Sequence, residues 1–215
     1  MKTTKPLKAR KPLARKTPLA RKTRMSPSKA ATKAKAKTRS KKVAVAPEAP
    51  PTPAQIIACL ADGYRTKSDP QIVAALGALP ALRDEDDEVW DDPVYWSGVA
   101  YPYLALADVA AERRLWPAVR LLLDRACFGD PGEIMRGLRH SLEAIANPDW
   151  SSLAEACIAA IAMRRPGTVL WAAEQLAILD DPRAFPVFEK LRHSEHERIR
   201  EVAARGLERL MPEAN

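Results

Sequence analysis

Three histidines and three cysteines are the residues with which this chain could bind a transition metal. His193 and His196 lie in the segment His-Ser-Glu-His-Glu, which lacks the H-E-x-x-H or H-x-x-E-H spacing that places two ligands on one face of a helix. His140 lies beside Arg139 on a predicted helix. We therefore expect all three histidines to be packing or surface residues, and the sequence predicts no metal site.

The cysteines and the glycines point away from redox and phosphate chemistry as well. Cys59, Cys127 and Cys157 are an odd number and show no C-x-x-C spacing, so we predict buried thiols in a reducing compartment rather than disulfides or a zinc site. The chain has only 8 glycines and contains no P-loop, no G-x-G-x-x-G and no G-x-S-x-G. The sequence therefore predicts no cofactor and no enzymatic activity.

The chemistry that the sequence does offer is electrostatic, and it lies in residues 1–46. This segment holds 17 of the 35 Lys and Arg residues and no acid, so the formal net charge of +8 divides into about +17 for this tail and about −9 for the rest. Proline recurs about every six residues, with a single leucine in each unit, and such a segment cannot build a core. We predict a disordered tail over 1–46 and a proline-rich spacer over 47–53.

A polyanion is the expected partner of this tail, and we favour DNA over RNA. No aromatic residue occurs in residues 1–63, so stacking on single-stranded bases is not expected, and contact with the phosphate backbone alone is. An acidic protein surface, an anionic membrane, or no function beyond solubility stay open as alternatives. The composition of the tail resembles the Lys/Ala/Pro-rich arms of histone H1-like proteins. The bases predicted to contact nucleic acid are Lys5, Lys8, Arg10, Lys11, Arg15, Lys16, Arg21, Lys22, Arg24, Lys33, Lys35, Lys37, Arg39, Lys41 and Lys42.

An acidic and aromatic segment is the second candidate binding surface. Seven acids fall within residues 84–92, and five Trp and Tyr residues lie between 90 and 103. Aromatic anchors with neighbouring carboxylates are typical of a surface that binds a basic protein. The residues predicted to do so are Asp84, Glu85, Asp86, Asp87, Glu88, Trp90, Tyr95 and Trp96. Two alternatives stay open: a solvated loop beside a helix whose aromatics fill the core, and a surface that binds the chain's own tail.

The elements that position these residues are predicted to be helices throughout 54–215. Apolar residues recur at intervals of three and four, and an acid precedes proline at several expected helix starts, such as Asp92-Pro93 and Asp181-Pro182. No run of 18 apolar residues occurs, so no membrane span is expected. We expect a cytoplasmic protein, associated with the nucleoid if the tail binds DNA. The predicted helices lie near 54–62, 70–79, 93–112 with a bend at Pro102, 117–127, 132–146, 151–164, 168–179, 183–192 and 195–210.

Internal repetition indicates how these helices are arranged. Residues 171–179 align with residues 202–210 at a shift of 31, sharing an Ala-Ala pair and two leucines at matching positions. Helix pairs that repeat at about 30 residues predict an α-α solenoid. Residues 168–210 resemble the short bacterial HEAT-like repeats first described in phycobilin lyases. This resemblance implies an armadillo-like solenoid with a binding role, and it carries over no catalytic residue.

The expected function is therefore that of a non-enzymatic adaptor, in which the tail binds nucleic acid and the acidic domain binds an unknown protein. An immunity or inhibitor protein that masks a basic toxin is the main alternative. A HEAT-like lyase is a further alternative, as is a DNA glycosylase that uses Trp150 or Trp171 in a basic groove. The acidic net charge of the domain opposes the binding of a duplex there. The sequence leaves the oligomeric state open.

Overall fold

The computed structural model describes residues 49–130 and 134–211. The predicted tail and all of its predicted nucleic-acid-binding bases therefore lie outside the described residues. The described part belongs to the compact unit that begins at Glu48. It is all-helical and contains no strand, which confirms the predicted all-α class for this part of the chain.

The helices follow one another with short connections, apart from the longer segment between the second and third. The α-helices of the described part are α1 (Pro53–Arg65), α2 (Asp69–Ala78), α3 (Pro93–Tyr95), α4 (Tyr101–Glu112), α5 (Trp116–Arg125), α6 (Ile134–Ala146), α7 (Trp150–Ile161), α8 (Pro166–Leu179), α9 (Phe185–Leu191) and α10 (Glu197–Leu210). Short 3-10 helices, Glu88–Asp91 and Pro182–Ala184, precede α3 and α9, and a π-helical turn, Trp96–Ala100, joins α3 to α4.

Capping side chains set the starts of several of these helices. Thr52 caps α1, because the Gln55 N–H donates to the Thr52 hydroxyl (3.3 Å) and the Thr52 N–H donates to the Gln55 side chain (2.7 Å). Asp92 accepts a hydrogen bond from the Val94 N–H (2.8 Å) immediately before α3. Asp181 accepts one from the Arg183 N–H (2.9 Å) before the 3-10 helix that leads into α9. These two predicted Asp-Pro starts are confirmed.

The predicted bend near Pro102 is a widened helical turn that lies just ahead of the proline. Pro102 occupies the first turn of α4, and the π-helical turn Trp96–Ala100 lies immediately before α4. Proline has no N–H, and its ring clashes with the carbonyl of the residue four positions earlier. A wider turn at that point relieves the clash, so the helix continues from Pro93 to Glu112.

Packing between consecutive helices and between helices far apart in the chain builds the core. α4 packs against both α1 and α6, and α8 packs against both α7 and α10. Tyr103 is fully buried among these helices, and its hydroxyl donates to the Leu122 carbonyl (2.8 Å). Within residues 49–130 and 134–211, no helix is both long and apolar enough to span a membrane.

Two of the three cysteines match their prediction and one does not. Cys127 and Cys157 are buried, whereas Cys59 is exposed. The reason is the position of α1 at the border of the domain. Ala61 of this helix is buried, and Ile57, Leu60 and Tyr64 pack against the core. Cys59 lies on the opposite side of the helix from these residues and is therefore exposed to solvent.

Candidate functional site

The acidic segment between α2 and α3 lies against the loop that follows α5. The Leu82 N–H donates to the Arg125 carbonyl (2.9 Å), and the Glu85 N–H donates to the Phe128 carbonyl (2.8 Å). The Asp84 carboxylate accepts a hydrogen bond from the Phe128 N–H (3.0 Å). Backbone contacts thus hold this segment to the domain over residues 82–85.

The aromatic residues of this segment contact one another. The ring of Trp90 lies 4.9 Å from that of Tyr95 and 5.3 Å from that of Trp96, measured between centroids. The Trp90 indole N–H donates to the Asp84 carbonyl (2.7 Å), and the Trp96 indole N–H donates to the Trp90 carbonyl (2.6 Å). The Tyr95 hydroxyl accepts from the Arg83 N–H (2.8 Å). All three rings are half-buried, so they stabilise the segment itself.

The acids of the segment divide into two groups. Asp84, Asp86 and Glu88 are exposed, whereas Glu85 and Asp87 are half-buried. Asp87 accepts from the Val89 N–H (3.2 Å). Glu85 forms an ion pair with Arg198 of α10 (2.6 Å) and accepts from the Asp130 N–H (3.2 Å). The hydrogen bond from Arg198 is the main reason that the pKa of Glu85 is lowered.

Arg198 also belongs to a groove between α6, α8 and α10, which we call the arginine groove. The groove has a volume of about 320 Å³ and is lined by Arg136 and Arg139 of α6 and by Arg198 and Arg205 of α10. Its floor is apolar and comes from Leu170, Trp171 and Val202. A pocket of about 180 Å³, lined in part by Arg139 and Arg205, adds Ile178 and Arg209.

Carboxylates balance several arginines of the arginine groove. Glu174 of α8 lies 3.0 Å from Arg139 and 3.9 Å from Arg205, so that it connects α8 to both neighbouring helices. Arg209 pairs with Asp180 at 2.8 Å. Asp130 and Glu201 line the groove as well. The groove therefore presents charges of both signs above an apolar floor.

Two buried polar side chains of α8 have side-chain atoms that form no hydrogen bond among the described residues. Trp171 is only 4% exposed, and its indole N–H makes no hydrogen bond within this part of the chain. Gln175, one turn further along α8, is fully buried, and neither atom of its amide is hydrogen-bonded there. Trp150, the other tryptophan considered for a glycosylase site, is half-exposed at the start of α7 and does not line the groove.

A second groove lies where α7 and α9 end and α8 and α10 begin, and we call it the histidine groove. It has a volume of about 640 Å³ and is lined by Arg164, Lys190, His193 and His196 among apolar side chains. His193 is exposed, whereas His196 is half-buried with its ring 5.1 Å from that of Phe128. Among the described residues, no three His, Cys, Asp or Glu side chains are placed so that they could hold a metal ion.

The sequence contained a signal for the arginine groove that charge counting missed. Arg198, Arg205 and Arg209 are spaced by seven and four residues on α10, which places them on one face of the helix. Averaging the charge over the whole domain concealed this stripe. The histidine groove left no comparable signal, because its lining residues come from four helices and the turns between them.

The chain was compared with known protein families, with curated proteins and with solved structures. None of the three comparisons finds a match.

Proposed function

We propose that this protein is a non-enzymatic adaptor, whose basic tail binds the phosphate backbone of nucleic acid while its helical domain binds a protein partner. The separation of charge supports the first half of this proposal. Residues 1–46 carry 17 bases and no acid, whereas the rest of the chain has 18 bases and 27 acids. A segment with such a composition gains affinity for phosphates by releasing their counterions, without reading bases.

The proposed architecture of the domain is a HEAT-like α-α solenoid. The internal shift of 31 residues relates part of α8 to part of α10, and these two helices pack against each other. α4 likewise packs against two other helices, α1 and α6. Stacking of this kind supports a repeat in which each helix pair buries its apolar face on the next pair.

The balanced charge of the arginine groove is the observation that carries the second half of the proposal. A nucleic acid strand lying there would bring its phosphates close to Glu174, Asp130 and Glu201. A protein segment offers both carboxylates and amines, so it can exchange partners with both signs of charge. Such exchange costs little, because exposed ion pairs of this type contribute less than about 1 kcal/mol each. The apolar floor supplies buried area for one side chain of the partner.

The tail is tested by comparing the whole chain with a chain that begins at Glu48. This boundary keeps Thr52, and therefore the cap of α1. At about 50 mM salt the whole chain is expected to bind duplex DNA and the shorter chain to lose that binding. Affinity of the whole chain should fall as salt rises, with a slope in log–log terms of about −0.9 per phosphate contact. Equal binding by both chains, or a base-sequence preference above a few-fold, would contradict the proposal.

The arginine groove is tested by photo-crosslinking inside cells. A photoreactive benzoylphenylalanine replaces Glu201, which lines the groove, or Arg120, whose side chain is 76% exposed on α5 away from it. A protein captured at position 201 and absent at position 120 is expected. Capture should weaken when Arg205→Glu is added, because the substitution reverses one charge of the lining. If the captured proteins are the same at both positions, or do not respond to Arg205→Glu, the groove is not the partner site.

A further inference from the structure

The cations of the histidine groove lack the carboxylate partners that other cations of the domain have. Arg65, Arg113 and Arg183 each form an ion pair with an acid. Arg164 and Lys190 form none with any carboxylate in the described part of the chain. Other described cations, such as Lys67 and Arg114, also lack a carboxylate partner, but they do not line this groove. What distinguishes Arg164 and Lys190 is that both line the same groove.

Arg200 of α10 lies against the loop that borders this groove. The Arg200 guanidinium donates to the carbonyls of Ser194 and Glu195 (2.9 Å each) and pairs with no described carboxylate. Glu195 is the carboxylate among the residues that line the groove. One of its carboxylate oxygens lies 3.7 Å from Nε2 of His196, and the Glu195 side chain is 88% exposed. Among the residues that line the groove, two cations without an ion pair therefore stand against one carboxylate, which is itself directed largely to solvent.

Arg164 follows α7 with its backbone in a left-handed conformation. Its φ is 62°, in the left-handed region that favours glycine. An arginine there is under more strain than glycine would be, and its side chain lines the groove. Arg114 offers a matched comparison, because it follows α4 with a φ of 52°, is exposed and does not line this groove.

Apolar side chains complete the groove between these cations. Ile161 of α7, Val169 of α8, Leu191 of α9 and Ile199 of α10 all line it. A volume of about 640 Å³ lies in the range of grooves that take a ligand of several side chains. An occupant that matches both features carries negative charge at its ends and an apolar side chain between them.

We propose that the histidine groove binds an acidic peptide segment of a partner protein, with carboxylates against Arg164 and Lys190 and an apolar side chain against Ile161, Val169 and Leu191. Complementarity of charge and of apolar surface selects this occupant over a nucleic acid, which has no apolar side chain to bury. The proposal rests on the protein-binding role proposed for the domain, but it uses residues outside the arginine groove. Failure of one groove therefore leaves the other testable.

The experiment uses the whole chain and a short probe peptide, Asp-Leu-Glu-Leu-Asp, in which a photoreactive phenylalanine replaces one leucine. The crosslinked residues are mapped by mass spectrometry, so that contact with the groove is separated from nonspecific contact with the basic tail. Crosslinks are expected at residues 161–169 and 190–199. In Arg164→Gly and in Lys190→Gln their yield should fall about tenfold, because each variant loses a charge-assisted contact.

Arg164→Gly also relieves backbone strain, so its thermal unfolding midpoint should not fall, and a lost crosslink cannot then be assigned to unfolding. Arg114→Gly makes the same exchange at the matched position and should leave the yield unchanged. The proposal is overturned if both arginine variants behave alike or if crosslinks map outside the groove. It is also overturned if Lys-Leu-Lys-Leu-Lys crosslinks there equally well, or if duplex DNA displaces the peptide from the groove.

Discussion

At the scale of single residues, burial decides the chemistry of the cysteines. Burial raises the pKa of Cys127 and of Cys157 to about 12, whereas Cys59 is exposed on α1. The thiolate is the reactive form, and the two buried groups have almost none of it near neutral pH. A colorimetric disulfide reagent is therefore expected to titrate one thiol per native chain and all three after unfolding in guanidinium. Rapid reaction of two or three thiols in the native protein would show that the core opens around Cys127 or Cys157.

The amide of Gln175 is a second feature of the residue scale, and it concerns stability. Burying an amide without a hydrogen-bond partner costs about 1–3 kcal/mol. Gln175→Met keeps the length of the side chain and removes that cost, so the free energy of unfolding should rise by about 1 kcal/mol in a urea titration. Gln55→Met serves as the control and should lower it, because Gln55 accepts the Thr52 N–H in the cap of α1. A loss of stability in Gln175→Met would mean that a buried water satisfies the amide.

At the scale of helices, the start of α8 is fixed by a close approach to the chain after α5. A Cβ atom added at Gly167 would lie 2.4 Å from the Ala126 carbonyl oxygen and 2.6 Å from the Cys127 carbonyl carbon. Backbone atoms cannot move aside as a flexible side chain can, so Gly167→Ala should lower the free energy of unfolding by about 2 kcal/mol or more.

Gly63→Ala is the matched control, because nothing lies within 4 Å of a Cβ added there, inside α1. It should raise the free energy of unfolding by about 0.5–1 kcal/mol through helix propensity alone. Both variants are compared by urea denaturation followed by circular dichroism. Equal effects of the two substitutions would show that α8 can shift away from the loop.

Local patterns in the sequence were sufficient to predict the helices, because apolar spacing and Asp-Pro starts are local signals. They placed α2 and α10 within two residues of their ends.

The attachment of residues 82–85 to residues 125–128 was not predictable, since it joins positions 43 residues apart through backbone atoms. Cys59 was assigned to the core because its neighbours are apolar, although the helical period places it on the other face. The two grooves combine several helices, and no single segment of sequence encodes such a combination.

At the scale of the whole molecule, charge is distributed unevenly at every level. The tail is basic and the domain acidic, and within the domain the arginine groove balances its arginines with carboxylates while the histidine groove does not. The net charge of the whole chain therefore describes neither the tail nor the domain. Such separation favours the adaptor role that we propose, because different surfaces can bind partners of different charge without competing.

The ion pair between Glu85 and Arg198 connects the acidic segment to the last helix across 113 positions of sequence, and its contribution should depend on pH. Because Arg198 lowers the pKa of Glu85, this contribution is complete above the ordinary glutamate range near pH 4.3 and is lost as the pH falls through the lowered pKa. Both side chains are partly exposed, so the pair contributes less than about 1 kcal/mol.

Glu85→Gln should therefore lower the free energy of unfolding at pH 7, and the difference from the unmodified protein should vanish as the pH falls well below 4. Glu88→Gln makes the same change in charge at an exposed position three residues later and should show no such pH-dependent loss. Urea titrations of all three proteins at several pH values measure these differences. A deficit in Glu85→Gln that persists at low pH would contradict the charge-based role of Glu85, because a protonated Glu85 carries no charge there either.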